Sequence, residues 1–186
     1  MLKYYAHSFN KTDNLMLSDI TKLEDILKNG ALLSRRKLGL SEEDALFNGM
    51  DYISLCDLGE EHDLYSAYNI YTMRGLSLLF DRDIKVIKPI YVKLSRNSLF
   101  AQEEMHDYGI KGRYSDLMDE VQVKDELSLE YLRAISLSLK RIEFLHDKEY
   151  LKIYLSRIQE ALNYYKYHVP IINLDDEQEI DKIYKL

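Results

Sequence analysis

Metal ligation and nucleophilic attack are the first chemistries to test in this chain, and its residues support neither. The five histidines, His7, His62, His106, His146 and His168, have no partner at metal-ligand spacing, and the single cysteine, Cys56, has no second thiol to share a zinc ion. Cys56 sits among apolar Ile53, Leu55 and Leu58, which reads as a small buried residue rather than a nucleophile. There is no G-x-G-x-x-G, no G-x-x-x-x-G-K-[ST] and no G-x-S-x-G turn, so the common nucleotide and hydrolase motifs are excluded. What remains is an ordered set of single residues. His7 lies within a β-favouring run, Gly30 closes a helix just before Ser34 and Arg35, Tyr52 and Ser54 share a strand, and Glu120 opens a late alternating segment.

The elements that must position these residues can be read from periodicity. Leu2 to Phe9 is the first strand, closed by the turn-like Asn10 to Asn14. Thr21-Lys22-Leu23-Glu24 has the capping-box pattern, and Leu23, Ile26 and Leu27 share a face. This predicts a short helix from Thr21 to Asn29, with Gly30 ending it in the left-handed conformation. Asp51 to Leu55 reads as a buried strand, Gly59 to Asp63 as an acidic loop, and Ser66 to Phe80 as a helix weakened at Gly75. Ile84 to Leu94 is expected as an edge strand around Pro89, and Ser95 to Met118 as a long loop.

In Asp119-Glu120-Val121-Gln122-Val123 the valines alternate with polar residues as in a half-buried strand, which puts Glu120 and Gln122 on the wet face. Ala134 to Leu139 alternates too, with Ile135, Leu137 and Leu139 on one face. Leu151, Tyr154, Leu155, Ile158, Leu162 and Tyr165 recur at helical spacing and predict a helix between Asp147 and Tyr167 whose tyrosines pack rather than react. Val169 to Leu174 closes the fold as a strand. Several strand pairs lack a crossover helix, so the expected fold is α+β with a mixed or antiparallel sheet and peripheral helices.

Size and composition bound the rest. A chain of 186 residues without linker, repeat or low-complexity tract is expected to form one domain, residues 1–174, followed by an acidic tail, residues 175–186. A net charge of −7 argues against nucleic acid as the main partner, although Arg35, Arg36 and Lys37 form a basic cluster and Lys85, Lys88, Lys93 and Arg96 another. One cysteine, no signal peptide and no long apolar run lead to the expectation of a cytoplasmic protein with no membrane partner, or one delivered into a host cell without a cleaved signal.

Two stretches carry a resemblance. Leu23-Glu24-Asp25-Ile26-Leu27-Lys28-Asn29-Gly30-Ala31-Leu32-Leu33-Ser34 resembles the early helix and turn of ADP-ribosyltransferase-like domains. In the group that modifies DNA bases in bacterial toxin–antitoxin systems, a first-strand histidine precedes such a stretch. Met118 to Val123, followed by Leu127 to Ile135, looks like that group's catalytic strand. The likeness covers most of residues 4 to 140 in order. It departs at Met118, where many transferases place a Gln or Glu two residues before the catalytic Glu.

The resemblance implies a split mixed sheet and an NAD-dependent transferase, with Glu120 as catalytic carboxylate. NAD would be the substrate, no metal would be needed, and His7, Ser34, Arg35, Tyr52, Ser54 and Arg74 would form the NAD pocket. Breaking the nicotinamide glycosidic bond passes through an oxocarbenium-like centre that one well-placed carboxylate can stabilise. His7 would hydrogen-bond the adenosine ribose, Tyr52 would stack on nicotinamide, Ser54 would support the wall, and Arg35, Arg36 or Arg74 would meet the pyrophosphate. The acceptor is a macromolecule, nucleic acid or protein, and the role that of a bacterial toxin, defence factor or effector, with an antitoxin or host protein as partner. The alternatives are a catalytically inactive relative serving as a nucleotide- or protein-binding module or inhibitor, and an enzyme acting on an RNA 2′-phosphate, which would need a basic groove.

Overall fold

The computed structural model describes residues 4–9, 17–40, 51–57, 76–87, 120–137 and 148–173. Among them are eight strands and two α-helices in an α+β arrangement: β1 (Tyr4–Ser8), α1 (Leu17–Asn29), β2 (Ala31–Leu33), β3 (Tyr52–Asp57), β4 (Ser77–Asp81), β5 (Glu120–Lys124), β6 (Glu126–Ser128), β7 (Leu132–Leu137), α2 (Lys148–Tyr164) and β8 (Ile171–Asn173). Strand pairing is mixed: β1–β4, β3–β5 and β4–β7 are antiparallel, whereas β7–β8 is parallel. The described residues fall into two units by contact, one holding 4–9, 17–32, 76–84, 128–137 and 148–173, the other 33–40, 51–57, 85–87 and 120–127.

The first unit is built on the strand order β1-β4-β7-β8. Its centre is β4, where the expected helix over Ser66 to Phe80 is overturned for the described residues. Leu76, Ser77, Leu78, Leu79 and Phe80 are all fully buried. A strand covered on both faces and paired on both edges reads as a continuous apolar run, which periodicity does not separate from a buried helix. The same covering applies to β7, where Ala134, Ile135, Ser136 and Leu137 are all buried, so the expected one-faced alternation is not observed.

Helix α1 begins four residues before the expected Thr21, which is exposed inside the helix and caps nothing. The period that matters is Ile20, Leu23 and Leu27, all buried, and it extends the apolar stripe back past Thr21. At the other end Gly30 takes φ +70° and its N–H bonds the Leu27 carbonyl at 3.3 Å, as expected of a left-handed stop. Helix α2 follows its expected pattern, burying Leu151, Tyr154, Ile158, Ala161 and Leu162, and it packs against α1. It ends in a Schellman turn: Tyr167 N–H bonds Leu162 O at 2.9 Å, Lys166 N–H bonds Asn163 O at 3.2 Å, and Lys166 sits at φ 64°.

In the second unit β3 and β5 pair with Ile53 opposite Val123 and Leu55 opposite Val121, all four buried. Beyond β5, Ile87 forms a reciprocal bridge to Gln122, with both N–H···O distances 2.8 Å. Of the strand expected over Ile84 to Leu94 this bridge is the only regular pairing in the described part, residues 84–87, which follows a turn where Asp83 N–H bonds Asp81 Oδ1 at 3.3 Å. Strands β2 and β6 form a small two-stranded sheet, bracketed by Leu129 N–H to Gly30 O at 2.9 Å and Ser34 N–H to Asp125 O at 2.8 Å. The Gly59 to Asp63 loop, the Ser95 to Met118 loop, Leu139, and the tail from Asp175 lie outside the described residues, as does Arg74.

No helix among the described residues is long and apolar enough to cross a membrane.

Candidate functional site

The β3–β5 ladder decides which of the sequence-selected residues share a surface. Directly opposite residues of an antiparallel pair lie on the same face. With Ile53, Leu55, Val121 and Val123 turned to the buried face, Tyr52 and Ser54 occupy the other together with Gln122, which stands opposite Ser54, and Lys124, opposite Tyr52. Cys56 belongs to this second set and is half-buried, not enclosed as its apolar neighbours suggested, because alternation separates it from Ile53 and Leu55. Its register partner is Glu120, the first residue of β5.

Gln122 is a correction in the other direction. Alternation with the valines predicted a wet residue, yet it is 6% exposed. Its backbone is bridged by Ile87 on the edge of β5 away from β3.

Ser34 and Arg35 leave β2 in a turn held from several sides. Ser34 is 1% exposed and donates its N–H to Asp125 O, while Asp125 donates its own N–H to Asp51 O at 2.7 Å. Asp125 is left-handed at φ 61°, a conformation that asparagine and aspartate tolerate best after glycine. The Ser34 hydroxyl accepts the Lys37 N–H at 3.4 Å, and Leu38 N–H and Leu40 N–H bond Ser34 O and Arg35 O, each at 3.0 Å. The fixed role of Ser34 is therefore to cap this turn.

The three consecutive cations of the turn have different surroundings. Arg36 holds Asp51 through Nε to Oδ1 and Nη2 to Oδ2, and this hydrogen-bonded guanidinium keeps the Asp51 carboxyl below the usual carboxylate range, with Lys124 assisting. Lys37 reaches Glu126 at 3.7 Å. Arg35 is half-buried, and its Nη1 is out of contact with solvent and finds no hydrogen-bond partner among the described residues.

This turn meets β5 at its Lys124 end, whereas Glu120 lies at the opposite end. Four strand residues cover roughly 13 Å, so a ligand touched by both must extend along β5. His7 belongs to the other unit. It pairs with Leu78 on β4, is partly exposed, and meets Phe9 edge to face with ring centroids 5.9 Å apart. Phe9 was not singled out in the sequence, although its spacing of two from His7 is the strand signal for a shared face.

The first unit also holds polar groups that periodicity did not reveal. Asp19, in the first turn of α1, is fully buried, and Tyr154 on α2 is enclosed with its hydroxyl unpartnered among the described residues. Burial pushes the Tyr154 phenol far up, reinforced by the charge of Asp19 and by Tyr150, which stacks on it. Arg133 on β7 clamps Asp81 on β4, with Nε and Nη2 each 2.9 Å from Oδ2. Among the described residues no three His, Cys, Asp or Glu side chains group closely enough to hold a metal ion.

Comparison of the chain with protein-family models, with curated proteins and with solved structures gives no match.

Proposed function

We propose that this chain is an NAD-dependent ADP-ribosyltransferase of the split-sheet type, transferring ADP-ribose to a macromolecular acceptor, nucleic acid or protein, with release of nicotinamide. The observation that carries the reading is the β3–β5 ladder. It starts β5 at Glu120 and runs the Tyr52 and Ser54 side of β3 alongside it. Glu120 is assigned the stabilisation of the oxocarbenium-like centre and the orientation of the incoming nucleophile. Tyr52 is assigned the nicotinamide ring and Ser54 the adjoining wall. The orphaned Arg35 nitrogen suits the negative charge of a pyrophosphate. The chemistry supplied by NAD is a good leaving group on an activated ribose carbon. A bacterial toxin, defence factor or effector, acting in the cytoplasm and restrained by an antitoxin or host protein, is the biological role in keeping with this activity.

The test is incubation of the full chain with labelled NAD and separate DNA, RNA and protein acceptors, with nicotinamide release as the readout. Wild type is expected to release nicotinamide and Glu120→Gln to lose at least a hundredfold in rate while keeping its circular dichroism spectrum. Equal release from two folded proteins would remove the enzyme reading.

A further inference from the structure

We infer that Gln122 is a positioning residue, its side-chain amide holding the Glu120 carboxylate from two places along β5, an inference that rests on the transferase reading above. The backbone pattern fixes the geometry. Gln122 directs both its N–H and its C=O to Ile87, at the edge of β5 away from β3, so its pair with Ser54 is a non-hydrogen-bonded one. Alternation makes Cys56–Glu120 and Tyr52–Lys124 non-hydrogen-bonded pairs as well, and Asp125 N–H, one residue past Lys124, bonds Asp51 O in phase with them. In such pairs the Cα atoms approach to about 4.5 Å. The polar face of the ladder is therefore the one with the tight rungs.

On that face Glu120 and Gln122 are two residues apart, about 7 Å along the strand, a separation that the combined reach of a glutamine and a glutamate spans. Gln122 is buried, whereas Lys124, two residues the other way, is exposed. An enclosed amide needs partners for two N–H groups and an oxygen. Ser54, across the rung, can serve one of them, and a carboxylate, which only accepts, suits an N–H. The described cations of this unit gather at the other end of β5. Lys124 is four residues from Glu120, roughly 13 Å, and Lys85, two residues before Ile87 in an antiparallel bridge, falls at the Lys124 end. Arg35, Arg36 and Lys37 follow Ser34, which bonds Asp125. Tyr52 is also at that end, which leaves the Cys56 thiol as the titratable group opposite Glu120. A neutral amide fixes the carboxylate without cancelling its charge, which an oxocarbenium-like centre requires, and donation to the charged form keeps the group ionised.

The experiment follows the Glu120 carboxyl of the full chain by carbon-detected NMR titration and, in parallel, nicotinamide release from NAD. In Gln122→Leu, which keeps the volume and removes the amide, the Glu120 midpoint is expected to rise by about half a unit or more. The rate kcat should fall by about tenfold or more while KM for NAD changes by less than about twofold, and the acid limb of the pH–rate profile should move up with the midpoint. Gln122→Asn, whose amide is one methylene shorter, should lie between Gln122→Leu and wild type in each readout. The inference is overturned if the Glu120 midpoint is the same in Gln122→Leu and wild type, or if KM rises while kcat is kept, which would place the amide on the substrate instead. Thermal unfolding identifies a folding defect in Gln122→Leu; Gln122→Asn then carries the comparison, and a midpoint equal to wild type overturns the inference. A midpoint that rises in a protein releasing no nicotinamide would keep the Gln122–Glu120 pair and remove the transferase reading.

Discussion

The Tyr167 hydroxyl lies 3.6 Å from the point where a side chain on Gly30 would begin, so the ends of α1 and α2 meet at one place. Each end needs a left-handed residue, but only one has glycine: Gly30 is at φ +70° and Lys166 at 64°. The space beside Gly30 admits a methyl group in ordinary contact, so the cost of Gly30→Ala is backbone strain, about 1–2 kcal/mol. Lys166→Gly removes the same strain and should stabilise by up to about 1 kcal/mol. Urea midpoints of the two variants should move in opposite directions, and a common direction would contradict the paired left-handed stops.

Tyr154 leads to a prediction at high pH. Its hydroxyl is buried without a partner among the described residues, so Tyr154→Phe should leave stability at pH 7 unchanged or raise it by about 1 kcal/mol, whereas Tyr154→Ala should cost about 3–5 kcal/mol. The folded phenol titrates far above the ordinary value of 10.0. Below that value both states carry the proton and stability is fully present. As pH rises past it the unfolded chain loses the proton first, and stability falls toward the folded pKa. Tyr154→Phe should therefore move alkaline unfolding, followed by circular dichroism, to higher pH.

A row of three serines crosses the first unit. Ser8 pairs with Ser77 and Ser77 with Ser136, and the Ser8 and Ser77 hydroxyls bond at 2.7 Å. The Ser136 hydroxyl, fully buried, has no partner among the described residues. Ser77→Ala strips Ser8 of its bond and should cost about 1 kcal/mol, while Ser136→Ala removes an unsatisfied group and should be neutral or stabilising. Denaturation curves that rank the two variants in reverse would contradict this division.

The elements that announced themselves in the sequence are those with one wet face. Helix α2 shows its stripe from Leu151 to Leu162, because solvent on the far side forces polar residues between apolar ones. Strand β4 has no such contrast: Leu76 to Phe80 is buried on both sides, and nothing in the run distinguishes it from a buried helix. Tyr52, Ser54 and Glu120 could be placed on strands from alternation, but their register could not, since it depends on a long-range pairing that places Asp125 N–H on Asp51 O beside the end of the ladder. The pairing of Arg36 with Asp51, fifteen residues on, likewise left no local pattern.

That pairing yields the last prediction. Asp51 has its carboxyl held low chiefly by the Arg36 hydrogen bond, so its contribution is present above the ordinary value of 3.8 and is lost as pH falls through the lower folded pKa. Arg36→Gln should move the Asp51 midpoint up toward that ordinary value in a carbon-detected NMR titration. The pair is exposed to solvent, so the change in stability should be small and should shrink as salt is raised toward 1 M. An Asp51 midpoint that does not move in Arg36→Gln would show that Lys124 or the backbone, and not the guanidinium, sets it.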